Sequence, residues 1–209
     1  IWSYNRIRSG CFFVFFLECD DMDIIMIRHG KSQDNLRKVY SCDSTPLTKE
    51  GIAELSNIKL LLKEYDYEKV YYSPLKRAVD TLGCLGLKGK EDIRLREINF
   101  GIFTGKSFEE ISKIYPEETK LWTKDIYNYR IPKGESLQDV YKRVSEFLEE
   151  VCKLDKNLLL VTHDSVIRLA LCWVFDNPLY FYRFKIDEGS ITTITISNGY
   201  KYIYRVNHR

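Results

Sequence analysis

The chain has 209 residues, enough for one domain of ordinary size and little more. Hydrophobic residues make up 44% and charged residues 30%, which excludes a disordered or collagen-like chain. Lys and Arg number 32 against 30 Asp and Glu, a net charge of +2, so no broad basic surface exists and no nucleic-acid partner is expected.

The first stretch is unlike the rest. Arg6 and Arg8 precede the apolar run from Cys11 to Leu17, and Glu18, Asp20 and Asp21 follow. Basic residues ahead of an apolar run suggest a signal peptide, but acidic residues stand where a cleavage site needs small ones. The run also falls far short of the ~20 apolar residues that span a bilayer. Residues 1–21 therefore read as a leader outside the fold, with a peripheral anchor as the alternative, and residues 22–209 as the domain. No membrane partner is expected. Six cysteines are scattered without a C-x-x-C pair or a zinc-spaced cluster. They read as reduced thiols of a cytoplasmic protein, with no metal site.

From Met22 onward, strand-like and helix-like segments alternate. Ile24–Ile27 is a short, continuous apolar run, as in a strand covered on both faces. Thr48 opens a helix carrying Ile52, Leu55, Ile58 and Leu62 on one side. Val70–Tyr72 is the next strand, ending at Ser73-Pro74, where a helix can start. Ile93–Leu95 is a weaker strand candidate. Ser107-Phe108-Glu109-Glu110 is a capping box and marks a helix start. Leu137, Val140, Tyr141, Val144, Phe147, Leu148 and Val151 follow helical spacing, so a helix is expected from Ser136 to about Cys152. Leu158–Val161 is a second buried strand, and Val166–Val174 a helix. The end differs: Ser190–Ser197 is rich in Ile and Thr, Asn198-Gly199 signals a hairpin, and Tyr202–Val206 pairs back. The expected fold is α/β, a three-layer α/β/α sandwich with a mainly parallel sheet, an antiparallel edge and a small helical cover over the site.

Ligands of open α/β sheets gather beyond the carboxyl ends of strands. Arg28-His29-Gly30 follows the first strand, Ser73 to Arg77 the second, and Thr162-His163 the strand at Leu158–Val161, while Glu97 follows Ile93–Leu95. If these strands are neighbours, Arg28, His29, Arg77, Glu97 and His163 meet in one pocket. Guanidiniums offer paired donors to phosphate oxygens, an imidazole can attack phosphorus, and a carboxyl can protonate a leaving oxygen. Phosphoryl transfer needs mainly positioning and charge neutralisation. Arginines stand where Mg²⁺ would want carboxylates, and no phosphate-binding G-x-x-x-x-G-K-[ST] loop is present. No cofactor is expected.

Read together, these segments resemble the histidine phosphatase superfamily, of phosphoglycerate mutase-like fold. Arg28-His29-Gly30-Lys31-Ser32 with Asn35 is similar to its R-H-G-[ET]-[ST]-x-x-N signature. Ser73-Pro74-Leu75-Lys76-Arg77-Ala78 to Thr81, Leu95-Arg96-Glu97-Ile98-Asn99-Phe100-Gly101, Gly134-Glu135-Ser136 and Val161-Thr162-His163 resemble its later motifs, in order. The resemblance implies that His29 is the nucleophile and carries a transient phosphohistidine. It implies that Arg28, Arg77 and His163 hold the phosphoryl oxygens with Asn35 in support, and that Glu97 is the general acid and then the base. Three positions depart from the pattern. Asp164 stands where glycine often follows the second histidine, and is expected to turn away from the phosphate. Thr104 replaces a glutamate, and Cys42 replaces a glycine in the loop expected to touch substrate.

The compact body and the stretches Tyr40-Ser41, Thr45–Thr48 and Phe184–Asp187 with Gly189 look closest to α-ribazole phosphatases, which adds Ser41 to the substrate-binding set. The implied function is metal-independent hydrolysis of a small-molecule phosphomonoester, α-ribazole 5′-phosphate being a candidate. A mutase that returns the phosphoryl group to its substrate is the alternative, and an inactive phosphate-binding scaffold is a third reading. Residues 115–131 could cover the pocket or simply pack their aromatics, and Tyr180–Tyr182 read as core or an edge contact. The chain is expected to be a monomer or a homodimer.

Overall fold

The computed structural model describes residues 21–209. The reading of a leader falls almost wholly outside the described residues.

The two continuous apolar runs form adjacent central strands, β1 (Met22–Arg28) and β4 (Leu158–Thr162). They pair in parallel with Ile24 opposite Leu158 and Arg28 opposite Thr162. Both are covered on both faces, so neither needs a polar side, and Ile24 to Ile27 are all fully buried. On the far side of β4 lies β2 (Lys69–Tyr72), which places Tyr72 opposite Val161. The short β3 (Lys90–Glu91) ends that side of the sheet. On the near side, β5 (Ile191–Ser197) pairs antiparallel with β1, and β6 (Tyr200–His208) returns along it. The full order is β3-β2-β4-β1-β5-β6.

Because side chains alternate along a strand, β1 and β4 feed two separate cores. Ile24, Met26, Leu158 and Leu160 pack with α6 (Leu137–Cys152) and α7 (Asp164–Val174). Ile25, Ile27, Leu159 and Val161 pack with α2 (Lys49–Leu61) and α3 (Lys76–Leu85). The result is the expected three-layer sandwich, mainly parallel with an antiparallel edge. The hairpin turn has Asn198 and Gly199 both at positive φ, 50° and 81°, as a two-residue type I′ turn requires.

Ser136 caps α6 by accepting from Asp139 N, while the Asp139 carboxylate accepts from Ser136 N. Ser107 and Glu110 form the same reciprocal pair at α4 (Phe108–Ile114). A proline at its first position starts α5 (Pro116–Lys124). These two helices enclose a third core of Phe103, Ile111, Trp122 and Ile131, flanked by Tyr40, Phe100, Tyr115 and Tyr129. Most of the aromatics of residues 115–131 are thus packing residues of this small subdomain.

Three local expectations change. Residues 93–95 are a 3-10 turn rather than a strand: Asp92 caps it by accepting from Arg94 N, and Ile93 is exposed. The strand beside β2 is the charged pair Lys90–Glu91, which carries no apolar signal. A further short helix, α1 (Gln33–Arg37), occupies the loop after β1, capped by Ser32. The helix after Pro74 begins at Lys76, because Leu75 remains extended with its N–H held by Ser73 Oγ.

Candidate active site

The parallel register of β1, β4 and β2 decides which side chains meet. Arg28 ends β1, and the next backbone N–H, of His29, donates to Thr162 O at 2.9 Å. The N–H of Ser73, just beyond β2, donates to Val161 O at 3.0 Å. His29, His163 and Ser73 therefore stand side by side at three adjacent strand ends. The two imidazoles lie 5.1 Å apart, centre to centre, and both are buried.

His29 has a defined tautomer. Its Nδ1 lies 2.8 Å from Gly30 O, a pure acceptor, so Nδ1 carries the proton. Its Nε2 then presents a lone pair, which accepts from Arg77 Nε at 3.1 Å. Burial, and the positive charges of Arg77 and Arg28, hold the His29 pKa well below the usual imidazole value. A neutral imidazole whose Nε2 carries no proton is the state a nucleophile needs.

Arg77 projects from the first turn of α3 and is fully buried. It has no carboxylate partner among the described residues; its other contact is with Cys42 O, 3.0 Å from Nη1. Thr81, one turn along α3, accepts from Gly30 N at 3.1 Å and donates to Arg77 O at 2.7 Å, tying the helix to the loop after β1. Cys42 is fixed in turn by Asp34, whose carboxylate accepts from Cys42 N at 2.9 Å and from the Thr45 hydroxyl.

His163 Nε2 lies 2.6 Å from Ser73 Oγ. Its Nδ1 is buried without a partner among the described residues. The Ser73 hydroxyl satisfies Nε2 and leaves Nδ1 as the unpaired nitrogen of the ring. Burial and the charge of Arg77 push the His163 pKa well down.

Glu97 follows the turn at 93–95. Part of its surface meets solvent, but burial of the carboxyl and the negative charge of Asp164 raise its pKa, against opposing pulls from Arg77 and Ser165. The segment is held from behind: Thr162 Oγ1 donates to Leu95 O at 2.7 Å, and Arg143 donates to Arg94 O at 2.6 Å and Glu97 O at 3.3 Å. Arg143 also grips Glu135, at 3.0 and 3.1 Å, and Glu135 accepts from Asn99 N at 2.9 Å.

His29, Arg77, His163 and Glu97 are thus brought together. Arg28 stands beside them, with its guanidinium on Ile186 O, on Glu188 at 3.4 Å and on Asp164 at 3.6 Å. Asp164 bridges Arg28 and Arg168, at 3.6 and 3.1 Å, because starting α7 directly after His163 leaves it between the two guanidiniums. Asn35 Oδ1 accepts from Ser32 N and Oγ, so its carbonyl closes the cap of α1. Ser41 lies part-exposed in the loop beside Cys42, with no hydrogen bond of its own among the described residues. Sequence reasoning missed Asp34, Glu135 and Arg143 as supports. Only Glu135 carried a signal, as the centre of Gly134-Glu135-Ser136; Arg143 on α6 reads as an ordinary surface charge. Among the described residues, no group of three or more His, Cys, Asp or Glu could hold a metal ion, and no helix is long and apolar enough to cross a membrane.

Comparison with known proteins agrees with this arrangement. Residues 24–209 match the family model of the histidine phosphatase superfamily, branch 1. The chain is 31% identical over 182 residues to 6-phosphofructo-2-kinase/fructose-2,6-bisphosphatase 1 of Mus musculus, covering 84% of this chain and 38% of that protein. It is 32% identical over 182 residues to fructose-2,6-bisphosphatase of Saccharomyces cerevisiae, covering 83% and 40%. It therefore spans about two-fifths of the length of these curated relatives. Among solved structures, the α-ribazole phosphatase of Shigella flexneri superimposes with a TM-score of 0.83 at 26% identity, over 90% of this chain and 96% of that one. The chain belongs to the histidine phosphatase superfamily.

Proposed function

We infer that the chain hydrolyses a small-molecule phosphomonoester through a phosphohistidine on His29, without a metal. The observation that carries this reading is the His29 tautomer: its unprotonated Nε2 faces Arg77, and buried Nδ1 of His163, on the neighbouring strand end, has no partner among the described residues. In the first step Nε2 attacks phosphorus, the P–O bond to the leaving group breaks, and the carboxyl proton of Glu97 moves to the departing oxygen. Arg77, Arg28 and His163 neutralise the phosphoryl oxygens as charge shifts. In the second step the Glu97 carboxylate takes a proton from water. The resulting hydroxide attacks phosphorus, the P–N bond breaks, and inorganic phosphate leaves with His29 neutral again.

Glu97 suits both steps, since burial and Asp164 keep it protonated to higher pH than an ordinary glutamate. The similarity to the Shigella flexneri structure, together with the motifs around Tyr40-Ser41 and Phe184–Asp187, makes α-ribazole 5′-phosphate a candidate substrate. The test is hydrolysis of p-nitrophenyl phosphate in EDTA by the whole chain and by His29→Ala. Activity abolished in the variant, with acid-labile phosphate trapped on the parent protein, is expected. Full activity in His29→Ala would overturn the assignment. Isomerised 3-phosphoglycerate in place of released phosphate would favour the mutase alternative.

A further inference from the structure

The loop from Phe184 to Gly189 holds Arg28 without the support of a sheet. Ile186 O accepts from Arg28 Nη1, and the Glu188 carboxylate lies 3.4 Å from Nη2. Among the described residues the guanidinium has one further partner, Asp164 at 3.6 Å. The far end of the loop is anchored by main chain: Gly189 N–H reaches Arg28 O and His29 O at 3.2 and 3.1 Å, and Ser190 O accepts from Arg28 N at 3.1 Å. Lys185, Ile186, Asp187 and Glu188 make no main-chain to main-chain hydrogen bond among the described residues. Two of the contacts that aim Arg28 thus come from a stretch that only side chains can hold.

Asn207, near the end of β6, holds it. Its Oδ1 accepts from Asp187 N at 2.8 Å, and its Nδ2 donates to Lys185 O at 2.8 Å. A backbone N–H only donates and a carbonyl only accepts, so the amide has one orientation. The Ser190 hydroxyl is shared between Asn207 Oδ1 at 3.0 Å and Asp187 O at 2.7 Å. Asn207 therefore straddles Ile186, bonding the residue on either side of it. Its backbone has a φ of 57°, a left-handed conformation that asparagine tolerates better than most residues. Glycine would supply that conformation without the amide, and aspartate the acceptor without the donor. Ile186 is itself buried in the core shared with α6 and α7, and Arg209 donates to Glu188 O at 3.1 Å. Loss of the Asn207 amide should thus free the main chain at Lys185 and Asp187 without unfolding the loop.

We propose that Asn207 is a positioning residue for the phosphoryl-binding Arg28, acting through the main chain on either side of Ile186. The proposal rests on the phosphatase reading above. Its test is a double-mutant cycle on p-nitrophenyl phosphate with the parent chain, Asn207→Gly, Arg28→Ala and the pair. Asn207→Gly is expected to lower kcat/KM about tenfold, the scale of one hydrogen bond to a charged group, and Asn207→Asp should restore part of the loss. In the Arg28→Ala background the glycine substitution should cost less than about twofold, since no guanidinium remains to misplace. A merely structural role would give equal losses in both backgrounds. That result in folded variants would overturn the proposal, as would full kcat/KM in Asn207→Gly. Hydrogen exchange on the parent tests the same coupling with no substitution. If the loop sets the grip on phosphate, saturating inorganic phosphate must in return slow exchange at the Asp187 amide. An unchanged rate there would overturn the proposal whether or not any variant folds. A parent that binds phosphate but hydrolyses no p-nitrophenyl phosphate would overturn the phosphatase reading instead, while the exchange measurement would still decide the role of Asn207.

Discussion

Replacing Arg143 with methionine isolates the scaffold behind the catalytic carboxyl. The substitution keeps much of the aliphatic stem and removes two hydrogen bonds to Glu135 and two to the carbonyls of Arg94 and Glu97. The Arg143 and Glu135 side chains are 15% and 21% exposed, between a surface pair of ~0–1 kcal/mol and a buried pair whose breakage costs ~3–5 kcal/mol. A loss of about 2–3 kcal/mol is therefore expected. Glu135 keeps its bond from Asn99 N, so the loop loosens rather than unfolds. A displacement of the Glu97 carboxyl by ~1 Å is enough to cost ~10²-fold in proton transfer. The assay is kcat/KM, which reports steps through transfer to His29, across a series of aryl and alkyl phosphates below the variant's melting temperature. Alkyl esters, whose leaving oxygen needs the proton, should lose about 30–100-fold. 2,4-Dinitrophenyl phosphate, whose leaving group needs none, should lose less than about threefold. Equal losses across the series, or no loss for alkyl esters, would refute the argument that Arg143 acts by positioning Glu97.

The other predictions test the site and its supports. Glu97→Gln should lower kcat/KM for an alkyl phosphate by ~10²–10⁴-fold. Because the acid form is the active one and its pKa is raised, the parent's rate should fall on the alkaline side, and the variant should lack that limb. Buried neutral His29 and His163 resist protonation in the folded state, while their unfolded counterparts take protons below about pH 6.5. Their contribution is full above that pH and is lost as pH falls toward the depressed folded values. Glu97 works in the opposite sense, its raised pKa favouring the folded state at low pH. Thermal melting from pH 7 to 5 should therefore show stability falling with pH, more steeply in Glu97→Gln; a shallower slope in that variant would contradict the assignment. At Gly134 an added Cβ would lie 2.3 Å from Asn99 O and 2.8 Å from Gly101 N. Gly134→Ala should cost ~1–3 kcal/mol, read as a lowered melting temperature, and an unchanged value would contradict that close approach.

What the sequence revealed follows from how each element is stabilised. Strands β1 and β4 announce themselves because both faces are covered, which forces continuous apolar runs, and α6 does so because one stripe of it is buried. His29, Arg77, Glu97 and His163 were legible because strand-end placement and motif order act together. β3 was not legible: its two residues are charged and exposed, and it exists only because β2 offers an open edge. Helix α1 is five residues long and depends on the Ser32–Asn35 cap, too short for any apolar period. The pairing of Arg28 with Asp164 and Glu188 was hidden for another reason: Arg28 lies far from both along the chain, and only the fold makes them neighbours.

The position of β4 bears on how the protein comes into being. Strands β1 and β2 do not touch; each is hydrogen-bonded to β4, which arrives about ninety residues after β2. A growing chain that has emitted His29, Arg77 and Glu97 still has nothing to hold their strands side by side. Until Leu158–Thr162 is inserted, two apolar strand edges stand open, a state prone to wrong pairing and slow to resolve because the missing contacts are distant in sequence. Nucleophile, acid and phosphate ligands therefore become a site in a single late event.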